Sequence, residues 1–138
     1  DEETAQAITP EGWFKTGDIA TMDDEGFVRI VDRQKDMILV SGFNVYPNEV
    51  EEVLSECPGI VEAACVGIKD ERSGEAVKVF VVAQAEGAVT REAIEKHCRE
   101  NLAAYKIPRH IEFKTELPKT NVGKILRRAL REDNQIAE

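Results

Sequence analysis

The side chains best suited to chemistry in this chain are a lysine beside one glycine and an aspartate beside another. In Leu117-Pro118-Lys119-Thr120-Asn121-Val122-Gly123-Lys124-Ile125 the glycine leaves the backbone free to turn, and Lys124 brings three donors and a full charge that could be delivered to an anion. This is not a P-loop, because Ile125 stands where that motif needs a hydroxyl residue. A loop leading into a helix with a solvated basic face is the plainer alternative. In Gly12-Trp13-Phe14-Lys15-Thr16-Gly17-Asp18 the Asp18 carboxylate follows a glycine at the start of a strand, where it could accept bonds from both hydroxyls of a ribose. A turn aspartate bonded to backbone amides would look the same. Arg33 and Lys35 lie two apart in a charged run, Asp32-Arg33-Gln34-Lys35-Asp36. An arginine there could donate to ligand oxygens, and a charged residue in a connector could absorb the dihedral change of a domain hinge. Both could equally be solvated and pair with Asp32 and Asp36 at little net energy.

The elements that must position these groups follow from periodicity and punctuation. Residues 1–10 are acidic and aperiodic, and are expected to fray. Segments 18–21 and 27–31 flank Met22-Asp23-Asp24-Glu25-Gly26, which reads as a hairpin loop. The charged run at 32–36 reads as an exposed linker. Met37-Ile38-Leu39-Val40 and the segment 43–46 are apolar, and Gly42 between them marks a turn or a close backbone approach. Pro47 opens a helix with Val50, Val53, Leu54 and Cys57 on one face and glutamates in its early turns. Residues 60–68 and 76–83 form two adjacent antiparallel strands around a turn at 70–74. Thr90 caps a second helix in which Ile94, His97, Cys98 and Leu102 share a face, and Ile107-Pro108 precedes a short strand at 110–113. A third helix is predicted from Gly123 to Arg131, with Leu126, Ala129 and Leu130 opposite a basic face. His97 reads as a packed, hydrogen-bonded residue. His110 has no acid or nucleophile beside it in sequence, so neither histidine receives a catalytic role, and no metal cluster is visible.

A chain of 138 residues suits one core that buries roughly two-thirds of its unfolded surface. Its longest apolar runs are four or five residues, far short of the roughly 20 a membrane helix needs, so no transmembrane segment is expected. A net charge of −9 argues against general binding to nucleic acid or anionic membranes. The balance is uneven, however. Between Tyr105 and Arg131 stand eight basic residues (Lys106, Arg109, Lys114, Lys119, Lys124, Arg127, Arg128, Arg131) against Glu112 and Glu116, which makes this stretch a candidate anion site. Three cysteines, Cys57, Cys65 and Cys98, fit neither a disulfide framework nor a zinc site and read as buried thiols of a reducing cytosol. With no initiator Met and a motif under way by Gly12, the chain is expected to be a piece of a longer protein.

Taken together, three blocks resemble, in order, the C-terminal part of the adenylate-forming enzymes: Gly12 to Asp18, Val31 to Glu51 with its Ser41-Gly42-Phe43-Asn44-Val45-Tyr46-Pro47, and Leu117 to Arg127. That family includes acyl-CoA synthetases, luciferases and peptide-synthetase adenylation domains, and within it the wording is most similar to bacterial long-chain fatty acid–CoA ligases. The likeness runs from about residue 11 to 132. It implies a two-step reaction, in which a fatty acid carboxylate attacks the α-phosphate of ATP and CoA thiolate then displaces AMP. By motif position, Lys124 would bridge carboxylate and α-phosphate, Asp18 and Arg33 would bind the ribose hydroxyls, and Lys35 would be the hinge. Gly42, with Ser41 and Phe43, would line the pantetheine tunnel. ATP and CoA would be substrates, and Mg2+ would be held by the N-terminal adenylation body of the same parent chain. The resemblance further implies a cytoplasmic enzyme, free or at the inner face of the membrane, with no nucleic-acid partner. The family's phosphate loop and acyl pocket are absent from these 138 residues, so the polypeptide alone is expected to be inactive.

The expected fold is α+β. An N-terminal hairpin (1–31) belonging to the large body leads through a hinge linker (32–36) into a mobile domain (37–134), with a short, mostly antiparallel sheet, about three helices and a tail at 135–138. Two alternatives stay open: an adenylating ligase with a carrier protein as acceptor, and a non-catalytic α+β module whose basic helix binds polyanions.

Overall fold

Asp23 ties a reversal of the chain. Its carboxylate accepts the amides of Glu25 and Phe27 at 3.0 and 2.9 Å, and the loop it ties together joins strands β1 (Asp18–Met22) and β2 (Val28–Arg33) in antiparallel register. The computed structural model describes residues 1–136, and they fall into two compact units that divide between Lys35 and Asp36. In the first unit the opening residues are not frayed but form helix α1 (Glu2–Ala7), where the Asp1 side chain accepts the amide of Glu3 at 3.1 Å. The acidity that looked disordering sits at a helix N-terminus, where negative charge is favourable. A second correction concerns the charged run. Strand β2 takes in Asp32 and Arg33, and Asp32 is only 3% exposed, with Oδ1 accepting the Arg33 amide at 2.7 Å. Pairing with Ile19 and Asp18 satisfies their backbone whatever their side-chain charge.

The second unit begins with β3 (Ile38–Val40) and β4 (Phe43–Val45), joined by Ser41 and Gly42 at φ 50° and 85°. Two successive positive φ values are what a two-residue turn matched to strand twist requires, and glycine meets the second at no steric cost. Helix α2 (Pro47–Ser55) buries Pro47, Val50 and Leu54. Strands β5 (Ile60–Asp70) and β6 (Gly74–Ala83) pair antiparallel. Helix α3 (Arg91–Asn101) is capped by the Thr90 hydroxyl, which accepts the Ala93 amide at 3.2 Å. It carries the chain back to β7 (His110–Phe113), which lies parallel to β6, so one parallel pair completes a sheet ordered β4-β3-β6-β5. With helix α4 (Arg127–Ile136) the unit has the three helices and mostly antiparallel sheet expected of it.

Alternation along β6 builds two cores. Val77, Val79 and Val81 join Ile38, Val45, Val50, Leu54 and Ile94 on the α2/α3 face, and Phe80 joins Val66, Leu117 and Leu130 on the α4 face. The last helix begins four residues later than predicted. Lys119 and Ile125 bridge, the Leu126 amide donates to Pro118 at 2.8 Å, and Gly123 has φ 81°. This is a closed loop, so Leu126 lies outside the helix and is 38% exposed. Of the expected tail, 135 and 136 belong to α4 and 137–138 lie outside the described residues. Among the described residues no helix is long and apolar enough to cross a membrane.

All three cysteines are buried and free. Burial first, then the nearby Cys57 thiol, pushes the Cys98 thiol from its usual 9.0 up to about 11. A folded pKa above the unfolded one contributes stability that is complete below about pH 9 and lost as pH rises toward 11. Urea unfolding at pH 8, 9.5 and 11 (about those values) should show a decline of about 2 kcal/mol that is shallower in Cys98→Ala.

Candidate functional site

The hairpin of the first unit sets Asp18 opposite Arg33. The two are register partners at the end of the β1–β2 ladder, and the Gly17 carbonyl accepts the Gln34 amide at 2.8 Å. Both side chains are exposed. The Asp18 amide donates to the Thr16 hydroxyl at 3.1 Å, leaving the carboxylate directed by the strand and not consumed in a turn. A carboxylate and a guanidinium at neighbouring strand positions form an acceptor and donor pair suited to a diol. Lys35 occupies the turn at 34–36 that ends the first unit.

In the second unit the remaining predicted residues lie on opposite faces of the sheet. The Ser41–Gly42 turn extends β3, whose Val40 packs in the α2/α3 core, and its position is fixed where the Ser41 amide donates to the Ser73 carbonyl at 2.8 Å. Within this unit a Cβ on Gly42 would meet nothing within 4 Å, so the glycine answers the backbone angle and leaves open space above it. Phe43 is exposed and stacks on Tyr105 at 4.9 Å between ring centroids. Beside the turn opens a cleft of about 600 Å³ lined by Val77, Arg99, Tyr105, Pro108 and Arg109. The sequence alone gave no sign of that cleft, because its walls are 30 to 70 residues from Ser41 in the chain.

Lys124 is attached to the other face. Leu117 is buried against Phe80 and Leu130, Ile125 packs on the same cluster, and Lys119 reaches Glu62 at 2.6 Å. Between these anchors the Thr120 amide donates to the Lys124 carbonyl at 2.7 Å and the Thr120 hydroxyl accepts the Lys124 amide at 3.3 Å. The loop backbone is held and the ammonium is not.

Folding changes the basic stretch from what its sequence suggests. Lys106 pairs with Glu49, Arg109 with Asp70, Lys114 with Glu112, Lys119 with Glu62, Arg128 with Glu132, and Arg127 and Arg131 with Asp36. Lys124 is the one member of the eight that makes no ion pair among the described residues. The basic face expected of the last helix is therefore not simply solvated. Arg127 also forks onto Glu51 and reaches Asn48 at 2.9 Å, and the side chains of Arg127, Asp36 and Glu51 are all less than a fifth exposed. Reading the helix from Gly123 hid this network. With the helix starting at Arg127, two arginines occupy its first turn, where the dipole disfavours positive charge, and that alone calls for carboxylates from elsewhere. His97 is half-buried, and its Nε2–H donates to the Val53 carbonyl at 2.7 Å, which ties α3 to α2. Among the described residues no group of three or more His, Cys, Asp or Glu side chains gathers in a way that could hold a metal ion.

Among the described residues the second unit thus presents Lys124 without an ion pair and, elsewhere on the sheet, a glycine turn. The family description "AMP-binding enzyme C-terminal domain" matches residues 49–124, more than half of the chain. The chain belongs to that family. Over 126 residues, 91% of this chain, it is 59% identical to the long-chain-fatty-acid–CoA ligase of Escherichia coli O6:H1, and it spans 22% of that protein's length. Among solved structures, the fatty acyl CoA synthetase of Mycobacterium tuberculosis superposes with a TM-score of 0.77 at 43% identity, and ATP-bound MatB of Rhodopseudomonas palustris with 0.89 at 34%. These cover 99% and 97% of this chain, and 27% of each of those chains.

With seven of the eight cations compensated, the domain should bind polyanions weakly. Titration with heparin or DNA between about 50 and 200 mM salt should give a log K against log salt slope of about −1 to −2. A slope near −6 would mean that the pairs open and that the stretch acts as an anion surface.

Proposed function

We propose that this chain is the C-terminal lobe of an AMP-forming acid–thiol ligase that activates a long-chain fatty acid with ATP and passes it to CoA. The observation that carries the reading is the unpaired Lys124 ammonium on an exposed, anchored loop in a member of this family. In the first step a carboxylate oxygen bonds to the α-phosphorus and the bond to pyrophosphate breaks. Two anions must approach and charge accumulates on phosphorus, so a cation that spends nothing on an internal partner is the group the step lacks in water. Lys124 supplies it, while Asp18 and Arg33 hold the ribose hydroxyls. In the second step the CoA thiolate attacks the acyl carbonyl and the bond to AMP breaks. The open space at Gly42, between Ser41 and Phe43, admits the pantetheine arm. The cleft beside it, with the Arg99 guanidinium and the Tyr105 ring in its walls, offers a donor for a phosphate and an aromatic surface for an adenine, which favours CoA as the acceptor. Because the turn and the lysine lie on opposite faces, the lobe must turn between the steps, and Lys35 is the pivot.

ATP and CoA are substrates in this reading. Any Mg2+ belongs to the N-terminal body, which is also the lobe's partner. The three free thiols fit a reducing, cytoplasmic setting.

The test is made in the full-length parent. Lys124→Ala should cut ATP–pyrophosphate exchange by about 10²-fold or more while leaving thioester formation from supplied acyl-adenylate nearly intact. A matched loss in both half-reactions would remove the assigned role. Lys35→Pro should stiffen the connector and slow mainly the second step, and an unaltered second step would remove the pivot. The 138 residues alone should show no exchange.

A further inference from the structure

The charge network at the start of α4 does more than offset a basic stretch. The Asp36 carboxylate receives two guanidiniums, Arg127 Nη1 on Oδ2 at 3.3 Å and Arg131 Nη1 on Oδ1 at 3.0 Å. The rest of the Arg127 fork is occupied as well. Nε and Nη2 bond both Glu51 oxygens at 3.0 and 2.6 Å, Nη2 reaches Asn48, and Glu51 Oε1 in turn accepts the Cys65 amide of β5 at 2.9 Å. Two carboxylates face two guanidiniums, each carboxylate about 15% exposed, so the group is near neutral, half sheltered from water and multiply bonded. Position gives the network its meaning. Asp36 is the residue after Lys35, and Arg127 is the third residue after Lys124.

We propose that Arg127 and Arg131 are positioning residues: by clamping Asp36 they join the residue after the pivot to the foot of the Lys124 loop, so that a rotation at Lys35 reaches the ammonium without slack. This rests on the roles given to Lys35 and Lys124 above. Arginine at a helix N-terminus opposes the helix dipole, so helix stability does not account for Arg127, and a hydrophobic contact could have anchored α4 with less desolvation. A planar fork gives what such a contact lacks, a fixed direction between three partners.

A mutant cycle in the full-length parent separates positioning from plain support. Arg127→Lys keeps the charge but offers three donors on a single nitrogen in place of the four bonds that the fork spreads over Asp36, Glu51 and Asn48. ATP–pyrophosphate exchange should fall about 10- to 100-fold, in kcat and not in the KM for ATP. In a Lys124→Ala background the same change should cost nothing further, because the clamp acts only through Lys124. An additional loss on top of Lys124→Ala, or normal exchange in Arg127→Lys alongside the expected loss in Lys124→Ala, overturns the clamp and spares the role of Lys124. Normal exchange in Lys124→Ala overturns both. Asp36→Asn, nearly unchanged in volume, is taken through the same cycle, so a folding defect of Arg127→Lys in urea leaves the outcome decided.

Discussion

Charge compensation is the constraint on which the second unit is built. An exposed ion pair contributes little to stability, but it decides which cations remain available to a ligand. Two unit charges about 4 Å apart near a protein surface interact by about 4 kcal/mol. A cation already holding a carboxylate must give up much of that interaction before it can serve a substrate. Lys119, five residues before Lys124 and carrying the same side chain, is bound to Glu62 at 2.6 Å. Among the described residues Lys124 is thus distinguished by having no ion-pair partner, and its residue type alone does not reveal this. The fold brings Asp36, Glu49, Glu51, Glu62 and Asp70 to other cations from distant parts of the chain and, among the described residues, pairs none with this one.

The same logic explains why the loop backbone is tied down while its lysine side chain is exposed. Leu117 is buried, Ile125 is half-buried in the same cluster, and the Thr120–Lys124 backbone bonds close the loop. An ammonium on a four-carbon stem needs no further freedom, because its rotamers already sweep several ångströms. Freedom in the backbone would cost entropy at each encounter with a ligand and would blur the geometry on which electrostatic stabilisation depends.

Local structure was largely legible in the sequence. The Asp23–Gly26 loop, Pro47 at a helix start, Thr90 as a cap and the strand at His110–Phe113 rest on interactions within a few residues, which composition and spacing reveal directly. Two errors came from reading polarity as exposure. Asp32 is charged yet buried within a strand, and the acidic opening residues are helical because charge of that sign suits a helix start. The misplaced start of α4 had another cause. Gly123 reads as helical by its place before the basic run, but its φ of 81° lies in the left-handed region and closes the loop that the Lys119–Ile125 bridge ties. The site was legible residue by residue but not as an arrangement. Arg127 bonds Asp36 across 91 positions and Glu51 across 76, and no periodicity carries information over such spans. The resemblance supplied the roles proposed for Asp18, Arg33, Lys35, Gly42 and Lys124; it did not show that seven neighbouring cations are spoken for.

A sheet with a core on each face imposes a last consequence. Lys124 is fastened to the α4 side through Leu117 and Ile125, and the Ser41–Gly42 turn to the α2/α3 side through Val40 and the cleft. Strands β5 and β6 between them are paired over nearly their full length, so bending the sheet to bring both features to one point would break its ladder. In the proposed reaction one acyl-adenylate would therefore not meet the lysine and the glycine turn together. The unit would present one side and then the other as a solid body, with the dihedral change falling outside it. Asp36, fixed by two arginines at the boundary of that body, is the last residue that can move with the sheet. Under that proposal the freedom required falls on Lys35 and the turn that holds it.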